Sequence, residues 1–303
     1  MTSFFRQALV VAMLSVLLVG CGSSETAEKS LSQQLEEALT TTKDNAARAN
    51  RLCVLARKLG EAQDVSGQQR ALKAASASAD LVTDPQIRAG MQIKTALELA
   101  RADQAEEARN TLDKARQSAE KIEDPSVKVK VLADTARALG DLPGSAETVT
   151  AWCTEAVQLI EGVNDPLEKV RLFAAVAHTS TKANSTTLAD DCLAKAHDAA
   201  AKVEDPARQS VAQAEIGIAL AKMGREEAAV KAFQAAREQS ESIDDPYTRA
   251  NAQITLAKVL LTAKRQIEAT EVATKAQKSV DKIKSASDQA AAKEELTKLQ
   301  KKL

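Results

Sequence analysis

Along most of the chain, small and apolar side chains recur in steps of four, three, four and three residues. One run is Ala108, Leu112, Ala115, Ala119, Ile122. The same steps give Val149, Cys153, Ala156, Ile160, Val163, and then Ala189, Leu193, Ala196, Ala200, Val203. They give Ala229, Phe233, Ala236, Ser240, Ile243, and Ala269, Ala273, Ala276, Val280, Ile283. An earlier copy, Gln68, Leu72, Ala75, Ala79, Val82, starts on a polar residue. At 3.6 residues per turn, those steps place all five positions on one face of a helix of about four turns. The middle position is alanine in every copy.

Every run but the last closes on a short punctuation mark: "LVTDP", "KIEDP", "GVNDP", "KVEDP" and "SIDDP", with prolines at 85, 125, 166, 206 and 246. The gaps are 40, 41, 40 and 40 residues. Aspartate before proline starts a helix. Its side chain accepts a free backbone N–H, and proline tolerates the first helical position. Asp44-Asn45 fills the same slot one period earlier. Eleven residues past each slot stand Ala56, Ala96, Ala136, Ala177, Gly217 and Ala257, small enough for two helices to approach closely. Four residues after each aspartate stand Arg48, Arg88, Lys128, Lys169, Gln209 and Arg249. Where these are basic we read them as local ion pairs to the aspartate, worth about 0.3–0.5 kcal/mol each.

A fixed period near 40 overrides the two-domain expectation set by length and indicates stacked two-helix units, a helix A and a helix B. The pattern resembles the tetratricopeptide repeat. In that family a small residue in helix A is followed by alanine, then a large apolar residue, then alanine at fixed spacing. Ala96, Ala108, Leu112, Ala115 match, as do Ala177, Ala189, Leu193, Ala196 and Gly217, Ala229, Phe233, Ala236. Ala257, Ala269, Ala273, Ala276 match with a smaller third member. Unit one departs at Gln68, and "GDLPGS" lengthens the turn of unit three by one residue. The family's usual period is about 34, and helix B here runs longer. The resemblance covers about residues 43–286. It implies an all-α fold, a right-handed α-solenoid of about six 40-residue repeats forming a single domain over 31–303. Stacking is obligatory because no unit can bury its apolar face alone. "LSQQLEEALTTT" at 31–42 and the polar segment 287–303 read as terminal capping helices.

Composition agrees. Aromatic residues make up 2% of the chain, so alanine and leucine must fill the interior. The net charge is −1, and without the leader 40 basic residues face 42 acidic ones. There is no overall positive excess to attract phosphates and little aromatic surface for bases, which excludes nucleic acid as a partner.

The first twenty residues read as an address. "MTSFFRQ" carries one positive charge, and Ala8–Val19 is an apolar run too short to span a bilayer but right for a secretory signal. "LVGC" then resembles the bacterial lipobox. That resemblance implies cleavage after residue 20 and lipid on Cys21, with residues 21–30 a polar, flexible tether. Two or more acyl chains would anchor the protein firmly. Gly22 stands where aspartate would signal inner-membrane retention. The expected location is the bacterial cell envelope, with the outer membrane facing the periplasm favoured and the inner membrane or cell surface as alternatives.

Catalytic signals are missing. Cys53, Cys153 and Cys192 are odd in number and lack CxxC spacing, which indicates neither a disulfide framework nor a zinc site. His178 and His197 belong to no metal motif, and no glycine-rich phosphate loop occurs. Ser118–Lys121 and Ser279–Lys282 form Ser-x-x-Lys pairs without companion motifs. No enzyme activity, cofactor or metal is expected. Cys153 reads as a core thiol, and Trp152 as a core residue or a partner contact. In the family resembled, helix A lines the concave face and grips peptides. That implies a groove containing Asn50, Lys130, Arg171 and Asn251 on one column and Arg57, Arg137, His178 and Lys258 on another. Its centre would be basic and suited to an acidic peptide or a carboxylate terminus. "AHTSTKANSTT" at 177–187 reads as a contact surface, a hinge or a frayed helix end. The sequence thus points to a lipid-anchored scaffold or adaptor that binds a protein or peptide. The alternatives are a self-associating structural lipoprotein, or an enzyme or envelope-component binder with an unrecognised site.

Overall fold

Each Asp-Pro step starts a helix as its chemistry dictates. The carboxylates of Asp84, Asp124, Asp205 and Asp245 accept the backbone N–H three residues on, at 2.7 to 3.0 Å, and proline takes the first turn. Asp44 caps in the same manner, and Asp165 accepts the N–H of Leu167, two residues on, at 3.1 Å. The computed structural model describes residues 29–303, so Cys21 and the leader lie outside the described residues. Seven helices form an A layer: α2 (Asn45–Glu61), α4 (Pro85–Arg101), α6 (Pro125–Leu139), α8 (Pro166–Lys182), α10 (Pro206–Lys222), α12 (Pro246–Thr262) and α14 (Ala286–Gln300). Seven alternate with them as a B layer: α1 (Leu31–Thr40), α3 (Val65–Asp80), α5 (Ala105–Glu120), α7 (Ala146–Glu161), α9 (Thr186–Ala200), α11 (Glu226–Glu241) and α13 (Gln266–Val280). No strand occurs among the described residues.

The bases four residues after each aspartate do not pair with it, contrary to the sequence reading. Arg48, Arg88 and Arg249 turn back and donate to the carbonyls of Thr42, Val82 and Ile243 at 2.7, 3.1 and 2.7 Å. Lys169 does the same to Glu161 at 3.0 Å. The linker carbonyl has no helical partner, and the base supplies one. The basic column therefore ties four of the linkers to the helices that follow them, α2, α4, α8 and α12.

Within a unit, A and B are joined by a tight turn. The N–H groups of Asp64, Gln104, Ser185, Arg225 and Arg265 reach back to the carbonyls of Leu59, Leu99, Ser180, Leu220 and Leu260 at 2.9 to 3.0 Å. The residue before each, Gln63, Asp103, Asn184, Gly224 or Lys264, is left-handed, as this helix stop requires. Unit three differs. Its helix A ends at Leu139, Leu142 drops into the core, and Gly144 makes the turn at φ 70.

The units stack into a solenoid. Every A helix packs on the A helix of the next unit, while successive B helices barely meet. A stack tight on one side and splayed on the other curves toward the tight side, so the A layer is concave. The alanine column is wholly buried, with Ala75, Ala115, Ala156, Ala196, Ala236 and Ala276 at 0% exposure. At the N-terminal end Ser30 and Gln33 form a capping box, which makes Ser30 part of the start of α1. At the other end α14 covers the last unit with Ala292, Leu296 and Leu299. Among the described residues no helix is long and apolar enough to cross a membrane.

Gly217 marks the closest fit between layers, because a Cβ there would meet the Phe233 ring at 2.6 Å. The other units place alanine at this position and a smaller residue opposite it. Gly217→Ala gains about 1 kcal/mol of helix propensity, but overpacking a core costs about 1–3 kcal/mol. The variant is expected to unfold at lower urea. Gly217→Ala combined with Phe233→Leu should be more stable than the two single effects add up to. Additive urea midpoints would show that the ring contact is slack.

Candidate functional site: a groove on the concave layer

Helices α6, α8 and α10 present their middle turns to the concave side and leave a cavity of about 410 Å3. Arg137, Arg171, His178 and Lys222 line it, with Asp134 and Glu215. A second cavity of about 320 Å3 continues between α10 and α12. It shares Glu215, Ile218 and Lys222 with the first and adds Lys258. The two form one groove across four units.

Of the eight residues assigned from sequence, the structure brings four together: Arg137, Arg171, His178 and Lys258. Asn50 and Arg57 lie further along the A layer and are engaged by α4. Asn50 accepts from Lys94, and Arg57 pairs with the buried carboxylate of Glu98, which also takes Arg101 at 2.6 Å. Lys130 is exposed on α6, Asn251 is half-buried on α12, and neither lines a cavity.

The groove carries more acid than the sequence reading placed there. Arg137 pairs with Asp134 at 3.0 Å, and Arg171 reaches Glu168 at 3.4 Å and Glu215 at 3.3 Å. Lys258 pairs with Glu295 at 2.8 Å. Lys222 makes no ion pair among the described residues, and it is the groove cation that sequence reasoning missed. The signal was present: Lys222 stands one helical turn beyond Ile218 in α10, so following the groove column by four residues reaches it.

His178 is half-buried on α8. Burial, reinforced by the positive charges of Lys222, Lys182 and Arg137, pushes its pKa down to about 4. It is therefore neutral near pH 7 and presents a hydrogen-bonding ring rather than a cation. Thr179 beside it also lines the groove. Thr179 and Thr181 donate to their own helix at Ala175 and Ala177, both at 3.0 Å. The helix runs intact to Lys182, so the hydroxyl-rich end of unit four is not frayed.

The remaining reactive groups are withdrawn from solvent. Cys53, Cys153 and Cys192 are free and buried, and burial raises all three thiols, Cys192 to about 12. They stay protonated at neutral pH and are poor nucleophiles. Trp152 is buried beneath the Arg116 guanidinium, 5.8 Å from the ring centre. Among the described residues no group of His, Cys, Asp or Glu side chains is arranged to hold a metal ion. What the groove offers is charge, shape and a neutral imidazole.

No family model and no curated protein matches the sequence. Several solved structures share its helical arrangement distantly. Ton1535 from Thermococcus onnurineus NA1 is 17% identical at TM-score 0.40, with 86% of this chain and 94% of that one covered. BtubC (BKLC) from P. vanneervenii is 13% identical at TM-score 0.39, covering 83% and 91%. The signal-transduction ATPase PH0952 from Pyrococcus horikoshii, which has a tetratricopeptide repeat sensor, is 15% identical at TM-score 0.33, covering 84% and 41%.

A histidine at 6.5 in the unfolded chain and about 4 when folded binds more protons unfolded. Its contribution to stability is whole above pH 6.5 and is lost as pH falls toward 4. His178→Gln is expected to flatten that part of the curve of urea midpoint against pH. In NMR titrations the His178 ring protons should move only near pH 4, and movement near 6.5 would contradict the assignment.

Proposed function

We propose that this protein is a lipid-anchored scaffold of the bacterial cell envelope that binds a protein or peptide partner in its concave groove, without catalysis. The observation that carries the reading is the groove itself. It is continuous across α6, α8, α10 and α12, is reachable from solvent, and holds one unpaired cation, Lys222, beside arginines whose own acids can be displaced. A partner carboxylate would settle on Lys222 and compete with Asp134 and Glu215 for Arg137 and Arg171. Neutral His178 would then exchange hydrogen bonds with its backbone. Because the arginines begin paired, a single carboxylate gains little, and a segment with several acidic residues gains more.

The second half of the reading comes from the leader. Lipid on Cys21 would hold the solenoid within a short tether of the bilayer, where partner and membrane are brought together. Outer-membrane attachment facing the periplasm is the favoured placement.

Crosslinking in the native envelope, followed by mass spectrometry, tests the groove. Arg137→Glu with Arg171→Glu should lose the partner, with affinity lower by about tenfold or more. Lys130→Glu, outside the cavity, should keep it. An identical partner set in all three proteins removes the groove from the account. Separately, Cys21→Ser should move the protein from the membrane fraction to the soluble fraction, and a protein that stays membrane-bound argues against the lipid.

A further inference from the structure

A second periodicity, of two units rather than one, runs along the chain and plays no part in the groove. Arg88, Lys169 and Arg249 are spaced by 81 and 80 residues. So are Lys114, Lys195 and Lys275, and so are Lys121, Lys202 and Lys282. An acid keeps the same step at Asp80, Glu161 and Glu241. The intervening units break the pattern, with Glu155 and Ala235 in place of the first lysine and Gly162 and Ser242 in place of the second.

The fold brings each set together on the edge where helix A begins and helix B ends. The acid closes one B helix and pairs with a lysine in the middle of the next: Asp80 with Lys114 at 2.6 Å, Glu161 with Lys195 at 2.9 Å, and Glu241 with Lys275. The helix A base is held by the linker carbonyl, as described above. In two sets its Nε also donates to a buried serine, Arg88 to Ser118 at 3.0 Å and Arg249 to Ser279 at 3.2 Å. These bases are positioned without being neutralised. Lys121, Lys202 and Lys282 are exposed and make no ion pair among the described residues.

At the second and third sets the splayed B helices leave crevices. One, of about 230 Å3, is lined by Lys169, Lys195 and Lys202 with Glu161 and Asp198. The other, of about 330 Å3, is lined by Arg249, Lys275, Lys278 and Lys282 against a single acid, Glu241. Its floor is fixed, since Ser279 donates to the buried Gln253 at 2.8 Å. At the first set Gln92 reaches across to Asp80 at 2.8 Å.

We infer that these edge crevices bind phosphate groups, and that their repeat along the solenoid fits a phosphate-bearing polymer such as a phosphorylated glycan. Several bases converging from two helices and a linker match a group with about two negative charges and three free oxygens. One carboxylate would leave most of them unused. Helices stack 8–10 Å apart, so crevices two units apart lie roughly 20 Å from each other along one edge. Neither crevice offers a nucleobase an aromatic face, because Phe173, at the middle crevice, is itself buried and Tyr247, exposed at the start of α12, lines neither.

The test is calorimetric titration of the full-length protein with long-chain polyphosphate, inorganic phosphate and polyglutamate. Polyphosphate is expected to bind and to weaken with added salt, while polyglutamate of equal charge binds far less. Lys278→Ala with Lys282→Ala, and separately Lys202→Ala, should lower polyphosphate affinity about tenfold each. These side chains are exposed and unpaired, so circular dichroism should be unchanged. Lys222→Ala, in the groove, should bind as the parent does, which separates this site from the partner groove. Inorganic phosphate binding as tightly as polyphosphate would overturn the polymer. No phosphate binding, unchanged affinity in the edge variants, or equal binding of polyglutamate would overturn the site.

Discussion

The close approach of helix A to helix B governs everything else in this molecule. A small residue on A must face a larger one on B, and the pair must then find the next pair, because its outer face is still apolar. Where Phe233 grows, the facing residue shrinks to Gly217. Where the turn lengthens in unit three, Leu142 fills the space that the shortened helix vacates. With almost no aromatic residues, the interior is built from many alanines at very short range. Such a core tolerates little added volume at any one contact.

The architecture was legible because its signals are local. An aspartate that caps and a proline that fits the first turn need only their own neighbourhood to act, and the alanine seam follows from helical geometry alone. Pairing across units was not legible in the same way. Glu98, which neutralises Arg57, and Glu215, one of the two acids on Arg171, sit 41 and 44 residues away, on helices whose relative rotation the one-dimensional pattern does not encode. Arg48, Arg88 and Arg249 show a different limit. Proximity to an aspartate suggested an ion pair, but these side chains turn to the linker carbonyl instead. The two-unit basic pattern was hidden by averaging. The net charge of −1 is a whole-chain sum, and it conceals an edge on which positive groups recur at every second unit.

The two candidate surfaces differ in physical character. The groove lies on the tight layer, where cations are mostly matched by acids of the same protein and a partner would bind by exchange. The crevices lie where the B helices part, with cations held in place by neutral carbonyls and hydroxyls. There the cations outnumber the acids, and Lys202 and Lys282 keep their charge without an ion pair among the described residues. A tether on Cys21 would present both surfaces to whatever lies near one membrane face.

The unequal joining of the two layers also sets how the rod responds to force. Its inner side is knitted by close helix packing, with ion pairs such as Arg171–Glu215 added to it, and is the stiffer of the two. Its outer side is bridged mainly by exposed charged links such as Lys195–Glu161 and Lys275–Glu241, which yield readily and soften as salt screens them. The solenoid should therefore act like a leaf spring, flexing by opening and closing the gaps between outer helices. An anion wedged into those gaps would stiffen it.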